Sequence, residues 1–96
     1  MRDSNGNTFL HQSVIERLHK LVFYLLMKGI DPNVQNNDGD TPLHIAVFVC
    51  NLDACKILLS NGSNIYLKDK YGQTPLHRFC FCMDDPDILK IINLNK

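Results

Sequence analysis

The chain of 96 residues has no tryptophan and no surplus of either charge, since ten Lys and Arg balance ten Asp and Glu. A nucleic-acid binder ordinarily shows a basic surplus or stripe, so the balance argues against that class. Long apolar runs are missing too. The longest, Leu21 to Met27, falls far short of the roughly 20 residues a membrane-spanning helix needs. Neither G-x-x-x-x-G-K-[ST] nor G-x-G-x-x-G occurs, which removes the glycine-rich phosphate cradles. The start of the chain, Met1 to Gly6, is polar and carries no apolar signal segment, so a cytoplasmic or nuclear location is expected. The four cysteines, Cys50, Cys55, Cys80 and Cys82, then read as reduced, mostly buried thiols. No metal is expected at His77, Cys80 and Cys82: the spacing is H-x2-C-x-C, and cysteines two apart on a helix do not share a face. Asn61-Gly62-Ser63 is a formal glycosylation sequon, of no consequence without entry to the secretory route. No cofactor is implied.

What the sequence does have is an internal repeat. Asp38-Gly39-Asp40-Thr41-Pro42-Leu43-His44 recurs 33 residues later as Tyr71-Gly72-Gln73-Thr74-Pro75-Leu76-His77. The same step backwards lands on Asn5-Gly6-Asn7-Thr8-Phe9-Leu10-His11. Gly29 and Gly62, Leu25 and Leu58, and Leu26 and Leu59 keep the same register. Each unit opens on a glycine suited to a tight turn. A threonine follows as helix cap, and in two units a proline takes the first helical position. The pattern predicts short helices over Pro42 to Val49 and Pro75 to Cys82, and second helices over His19 to Met27 and Leu52 to Ser60. Gly29 and Gly62 are placed to end the second helices in a left-handed residue. The stretches Ile30 to Asp38 and Ser63 to Tyr71, rich in Asn, Asp and Lys, read as extended loops or hairpins leading to the next unit.

Thr41-Pro42-Leu43-His44-Ile45-Ala46 and the 33-residue period resemble the ankyrin repeat, as do the closing segments Leu58 to Ile65 and Leu25 to Asn33. The resemblance spans roughly residues 5 to 94. It implies one all-α domain over residues 1–96, an ankyrin-repeat solenoid of three stacked helix–turn–helix units linked by hairpin loops. Unit one covers about 5–37, unit two about 38–70 and unit three about 71–96, the last truncated. Departures from the family pattern are specific. Phe9 replaces the opening proline of unit one, and Ser13 and Phe79 stand where unit two has Ala46. Phe79 suggests that nothing stacks closely beyond unit three. Arg17, Cys50 and Met83 stand where most ankyrin units have a glycine between helices; keeping that left-handed bend costs about 1 kcal/mol each. After Asp84-Asp85-Pro86 the last helix, with Ile88, Leu89, Ile91 and Ile92, is shifted by about one residue, so it is expected to be displaced or frayed.

A lone unit cannot bury its apolar side, and three are the minimum for a stable stack. The expected core is Leu10, Leu43, Leu76, Val14 and Val47 from first helices, with Leu21, Val22, Leu25, Leu26, Leu58 and Leu59 from second helices. His11, His44 and His77 form a ladder, each imidazole tying a hairpin to its neighbour. His19 breaks that ladder and is expected on the surface. With no visible cap after Ile91, Ile92 and Leu94, the chain is expected to dimerise, to self-associate weakly through its C-terminal unit, or to be a piece of a longer array.

The family binds proteins along its hairpin tips and the concave face of its first helices. Carried to this sequence, the tips are Ser4, Asn5 and Asn7, then Asn37, Asp38 and Asp40, then Lys70, Tyr71 and Gln73. The concave face holds Ile15 and Glu16, Phe48 and Val49, and Phe81 and Cys82. Aromatic residues there suggest a partner surface centred on Phe48, Phe81 and Tyr71, against the plainer reading of Phe48 and Phe81 as core. Asn33 matches the asparagine that ankyrin units offer to asparaginyl hydroxylation, against the plainer reading, which comes first, of a brace of its loop. A Cys–His nucleophile would need an orienting group and an oxyanion pocket, so no enzyme is expected. Two functions are weighed: an adaptor or inhibitor holding another protein, and a remnant or fragment of a longer array with a structural role. Short divergent ankyrin chains of this style resemble those of large DNA viruses and intracellular bacteria, which engage host proteins in the host cytoplasm.

Overall fold

The computed structural model of the chain describes residues 2–75 and 77. The expectations for Leu76, Phe79, Cys80, Phe81, Cys82 and Met83, and for the helix after Pro86, lie outside those residues. Among the described residues there are four helices and no strand: α1 (Phe9–Ile15), α2 (His19–Met27), α3 (Pro42–Phe48) and α4 (Leu52–Ser60). The second pair repeats the first at the sequence period. Within each pair the helices pack on each other, and between pairs α1 packs on α3 and α2 on α4.

The first helices start where the repeat says they should. Thr8 and Thr41 are extended N-caps whose side chains accept from the His11 and His44 backbone N–H groups. The imidazole Nδ1 accepts in return from the Thr backbone N–H, at 3.0 Å in both units. Two orphan donors of each helix end are thereby satisfied by a reciprocal box, with histidine in the role usually filled by glutamate. α3 ends at Phe48, one residue before expectation, because Val49 already serves as its C-cap. Arg17 and Cys50 adopt φ of 59° and 54°, so both keep the left-handed bend despite having a Cβ.

The core runs between the layers. Leu10, Val14, Val22 and Leu26 of unit one are buried beside Leu43, Val47, Cys55, Leu58 and Leu59 of unit two, with Ile65 from the following loop. Each fully buried Leu or Val contributes on the order of 1.5–3 kcal/mol. Two core expectations need correction. Leu21 is 39% exposed, and Leu25 is only partly buried against the core. Their equivalents 33 residues on, Ala54 and Leu58, are fully covered. The difference is that unit two has a unit ahead of it among the described residues. Cys55 is buried as expected, but Cys50 is exposed, because the left-handed corner points outward.

His19 is also corrected. It is half-buried, its Nε2 lies 2.9 Å from Asn51 Oδ1, and its Nδ1 is 3.7 Å from Asp53. Asn51 is 1% exposed. Its amide donates to the Val14 carbonyl at 3.0 Å, and its Oδ1 caps α4 through Ala54 N–H. One side chain therefore starts a helix and bolts two units together.

Candidate functional site

The hairpin tips are built on one recurring device. Asp3, Asn36 and Asp69, spaced by the repeat, each turn a side-chain oxygen onto the backbone N–H groups two and four residues on. The pairs are Asn5 and Asn7, Asp38 and Asp40, and Tyr71 and Gln73, at 2.9–3.0 Å. Backbone bonds close each turn, as from Asn36 N–H to Asp40 O and from Asp69 N–H to Gln73 O. Adjacent tips then bond directly, Asn37 N–H to Asn5 O and Lys70 N–H to Asp38 O. At Gly39 the next tip approaches so closely that a Cβ would lie 2.8 Å from Lys70 N. The tips thus form a continuous, rigid row.

The histidine ladder locks that row to the helices. His11 Nε2 lies 2.8 Å from Asp40 O, and His44 Nε2 3.0 Å from Gln73 O. Since Nδ1 accepts from a backbone N–H, each ring is the neutral tautomer with its proton on Nε2, which donates to the carbonyl of the following tip. Burial holds the His11 pKa below the ordinary histidine value, because charging the ring would desolvate a cation.

Between α3 and the tips lies a groove of about 300 Å³, lined by Asp38, Asp40, His44, Ile45, Phe48, Asp69 and Tyr71. Phe48 and Tyr71 are 70% and 73% exposed. Burial raises the Asp40 pKa, and the nearby Asp69 and Asp38 charges push the same way. Asp69 is also penalised by burial, yet the N–H groups of Gln73 and Tyr71 hold its pKa below the usual value. Asp69 is therefore the more acidic of the two, and Asp40 the more readily protonated. Ligand atoms of Asp40, His44 and Asp69 lie within 4.8 Å of one another. Both His44 ring nitrogens are already engaged, so that trio offers a metal only two carboxylates.

A family model for ankyrin repeats, three copies, matches residues 10–94. The chain belongs to the ankyrin-repeat family. Among its relatives is a putative ankyrin repeat protein of Rickettsia felis, 43% identical over 83 residues, covering 78% of this chain and 37% of the relative. NF-kappa-B inhibitor alpha of Gallus gallus is 34% identical over 80 residues, covering 79% of this chain and 25% of that protein. Protein phosphatase 1 regulatory subunit 12A of Mus musculus is 34% identical over 85 residues, covering 88% of this chain and 8% of that protein. The ankyrin chain thus spans about a third or less of the length of these relatives. Ankyrin repeats generally mediate protein–protein contacts and are in general non-catalytic, and two of these relatives are named as an inhibitor and a regulatory subunit. No helix among the described residues is long and apolar enough to cross a membrane.

The expected surface residues of this ankyrin domain fall into groups. Asp38, Asp40, Phe48 and Tyr71 meet around the groove. Lys70 does not add a separate basic tip: its Nζ sits 2.6 Å from Asp38 and 5.2 Å from the Tyr71 ring centroid, and the Asp38 hydrogen bond raises its pKa. Asn37 and Gln73 are exposed on the tips. Asn37 reaches back to the Ser4 carbonyl, and Gln73 supplies the carbonyl for His44. Val49 is only partly exposed, and its carbonyl accepts from Arg17 at 2.7 Å. Phe81 lies outside the described residues. Asn33 braces two units: its Oδ1 accepts from Asn64 N–H at 2.7 Å, and its backbone N–H is held by Asp31. Sequence reasoning missed Asn51, whose position just before an apolar helix is a cap signal. It also missed Asp3, Asn36 and Asp69, whose shared spacing was available.

Proposed function

We propose that this ankyrin chain is a non-catalytic docking module, an adaptor or inhibitor, holding a protein partner against the groove between α3 and the hairpin tips. The observation that carries the reading is the outward exposure of two aromatic side chains, Phe48 and Tyr71, across a groove that also holds Asp38, Asp40 and Asp69. Large rigid aromatics are the commonest anchors at protein interfaces. Carboxylates beside them favour a partner that brings an apolar anchor flanked by basic residues. The rigid row of tips supports the reading as well, since little ordering entropy is lost on binding.

The test begins with proximity labelling in cells to identify a partner, followed by titration of the purified pair. Phe48→Ser and Tyr71→Ser should each weaken binding by about tenfold or more, 1.4 kcal/mol or above. Melting temperature and helical content should stay unchanged, since both side chains are mostly outside the core. Unchanged affinity in both variants, or collapse of the fold, counts against the groove. Asn33 is proposed as a hydroxylation acceptor only in its accessible loop. An oxygen addition at Asn33 by intact-mass analysis after exposure to an asparaginyl hydroxylase supports this, and no mass change disposes of it.

A further inference from the structure

The repeat places one side-chain pair twice between adjacent hairpin tips. At the first joint the pair is Asn7 and Asn36, and the Asn36 amide donates to Asn7 Oδ1 at 2.8 Å. At the second, 33 residues on, the same two positions hold Asp40 and Asp69. Two amides satisfy each other, because each carries both donors and an acceptor. Two ionised carboxylates carry acceptors alone and repel at short range. The chain thus contains a neutral solution for this joint and departs from it where the joint lines the Phe48–Tyr71 groove.

Ligand atoms of Asp40, Asp69 and His44 lie within 4.8 Å of one another. His44 brings no positive charge, since its Nδ1 accepts from Thr41 N–H and its Nε2 donates to the Gln73 carbonyl. Lys70 is held by Asp38 at 2.6 Å. Asp38 and Tyr71 are the other titratable groups of the groove, and among the described residues no Lys or Arg lines it. The pair therefore presents negative charge that a partner's cation would complete. We propose that Asp40 and Asp69 together seat one arginine side chain of the docked partner, and that a proton competes for that seat as the medium becomes acidic. This rests on the groove being the docking surface, and it specifies one of the basic residues beside the partner's anchor. Arginine fits better than lysine because its flat fork of five donors can serve two carboxylates at once. It is also the more weakly hydrated cation and packs against aromatic rings such as Phe48 and Tyr71. The proton's place is Asp40, which burial and the neighbouring Asp69 and Asp38 charges make the readier to take it up.

The test titrates the full chain, at low salt, with three capped tripeptides whose central residue between two leucines is arginine, lysine or citrulline. Binding is followed by NMR. The arginine peptide should bind with a dissociation constant on the order of 1 mM, the lysine peptide about threefold more weakly and the uncharged citrulline peptide about tenfold more weakly. The double variant Asp40→Asn with Asp69→Asn recreates the Asn7–Asn36 joint, and Asn36 already braces its own tip as Asp69 does, so the fold is kept. That variant should bind all three peptides alike. In the wild type, the side-chain carboxyl signal of Asp40 should titrate at lower pH once the arginine peptide is bound. Arginine affinity should accordingly fall about threefold or more from pH 7 to pH 5, with citrulline affinity unchanged. Equal binding of the three peptides by the wild type, unchanged arginine affinity in the double variant, or Ca2+ taken in place of the peptide overturns the proposal. If it is overturned while Phe48→Ser and Tyr71→Ser still weaken the purified partner, the arginine seat falls and the docking groove stands. Arginine selectivity beside a partner indifferent to both aromatic variants supports the seat and removes the groove as that partner's dock.

Discussion

Unit one and unit two carry the same architecture with different surroundings, and the contrast separates what the repeat dictates from what the neighbours dictate. At Leu10 and Leu43, Val14 and Val47, and Val22 and Cys55 the two units are buried alike. Those side chains lie inside a pair or face the next unit, so the local pattern is sufficient. At Leu21 and Ala54, or Leu18 and Asn51, the environments diverge, because burial there requires a unit ahead. Apolar character alone therefore does not place a residue in the core of a repeat protein.

The comparison is open to direct attack. The largest effect is expected from Leu58→Ala, which should lose about 2–5 kcal/mol in chemical denaturation as a fully enclosed leucine leaves a cavity. Leu25→Ala, at the same position of unit one, should lose less than half as much. Equal losses would show that the outer face of unit one is covered in solution. Exchanging the pre-helix residues comes next. Asn51→Leu should destabilise by about 1–3 kcal/mol, since it removes the α4 cap and the link to Val14 and strips His19 of its partner. Leu18→Asn should gain about 1 kcal/mol in the same assay by capping α2, which has no side-chain cap.

A smaller change is expected at the corners between helices. Cys50→Gly should raise stability by about 1 kcal/mol by relieving the positive φ. Arg17→Gly should gain less, because it also loses the bond to the Val49 carbonyl. Smallest is the pH effect of His11. Its folded-state pKa lies below the unfolded value of about 6.5, so below that pH the unfolded chain binds more protons than the folded one. The contribution of His11 is complete above about pH 6.5 and is lost as pH falls toward its depressed folded pKa. Melting temperature should decline gently from pH 7 to pH 5, as read by circular dichroism; a rise over that interval contradicts the neutral ladder.

Much of the fold was legible because the repeat reports itself. The boundaries of α2 and α4, the threonine caps and the tie from His11 to the next tip all follow from register, whereas the histidines' own part in those caps did not. Other features depend on distances that only the stack sets. Asp38 and Lys70 were assigned to successive tips, but stacking brings those tips together and joins the two side chains. The turn-bracing role of Asn36 is masked by the similar side chains of Gln35 and Asn37, and only the register it shares with Asp3 and Asp69 singles it out. His19 looked like a surface residue because its partner Asn51 is 32 positions away. Phe48 was read both as core and as surface, and its exposure follows from lying at the end of α3, pointing away from the other helices' packed sides.

The most direct test of the docking role is NMR of the labelled ankyrin chain titrated with its purified partner. The account predicts that shifts and broadening concentrate on Ile45, Phe48, Tyr71 and the adjacent tip amides. Perturbations confined instead to Phe23, Tyr24 and Met27, on the exposed side of α2, would contradict it.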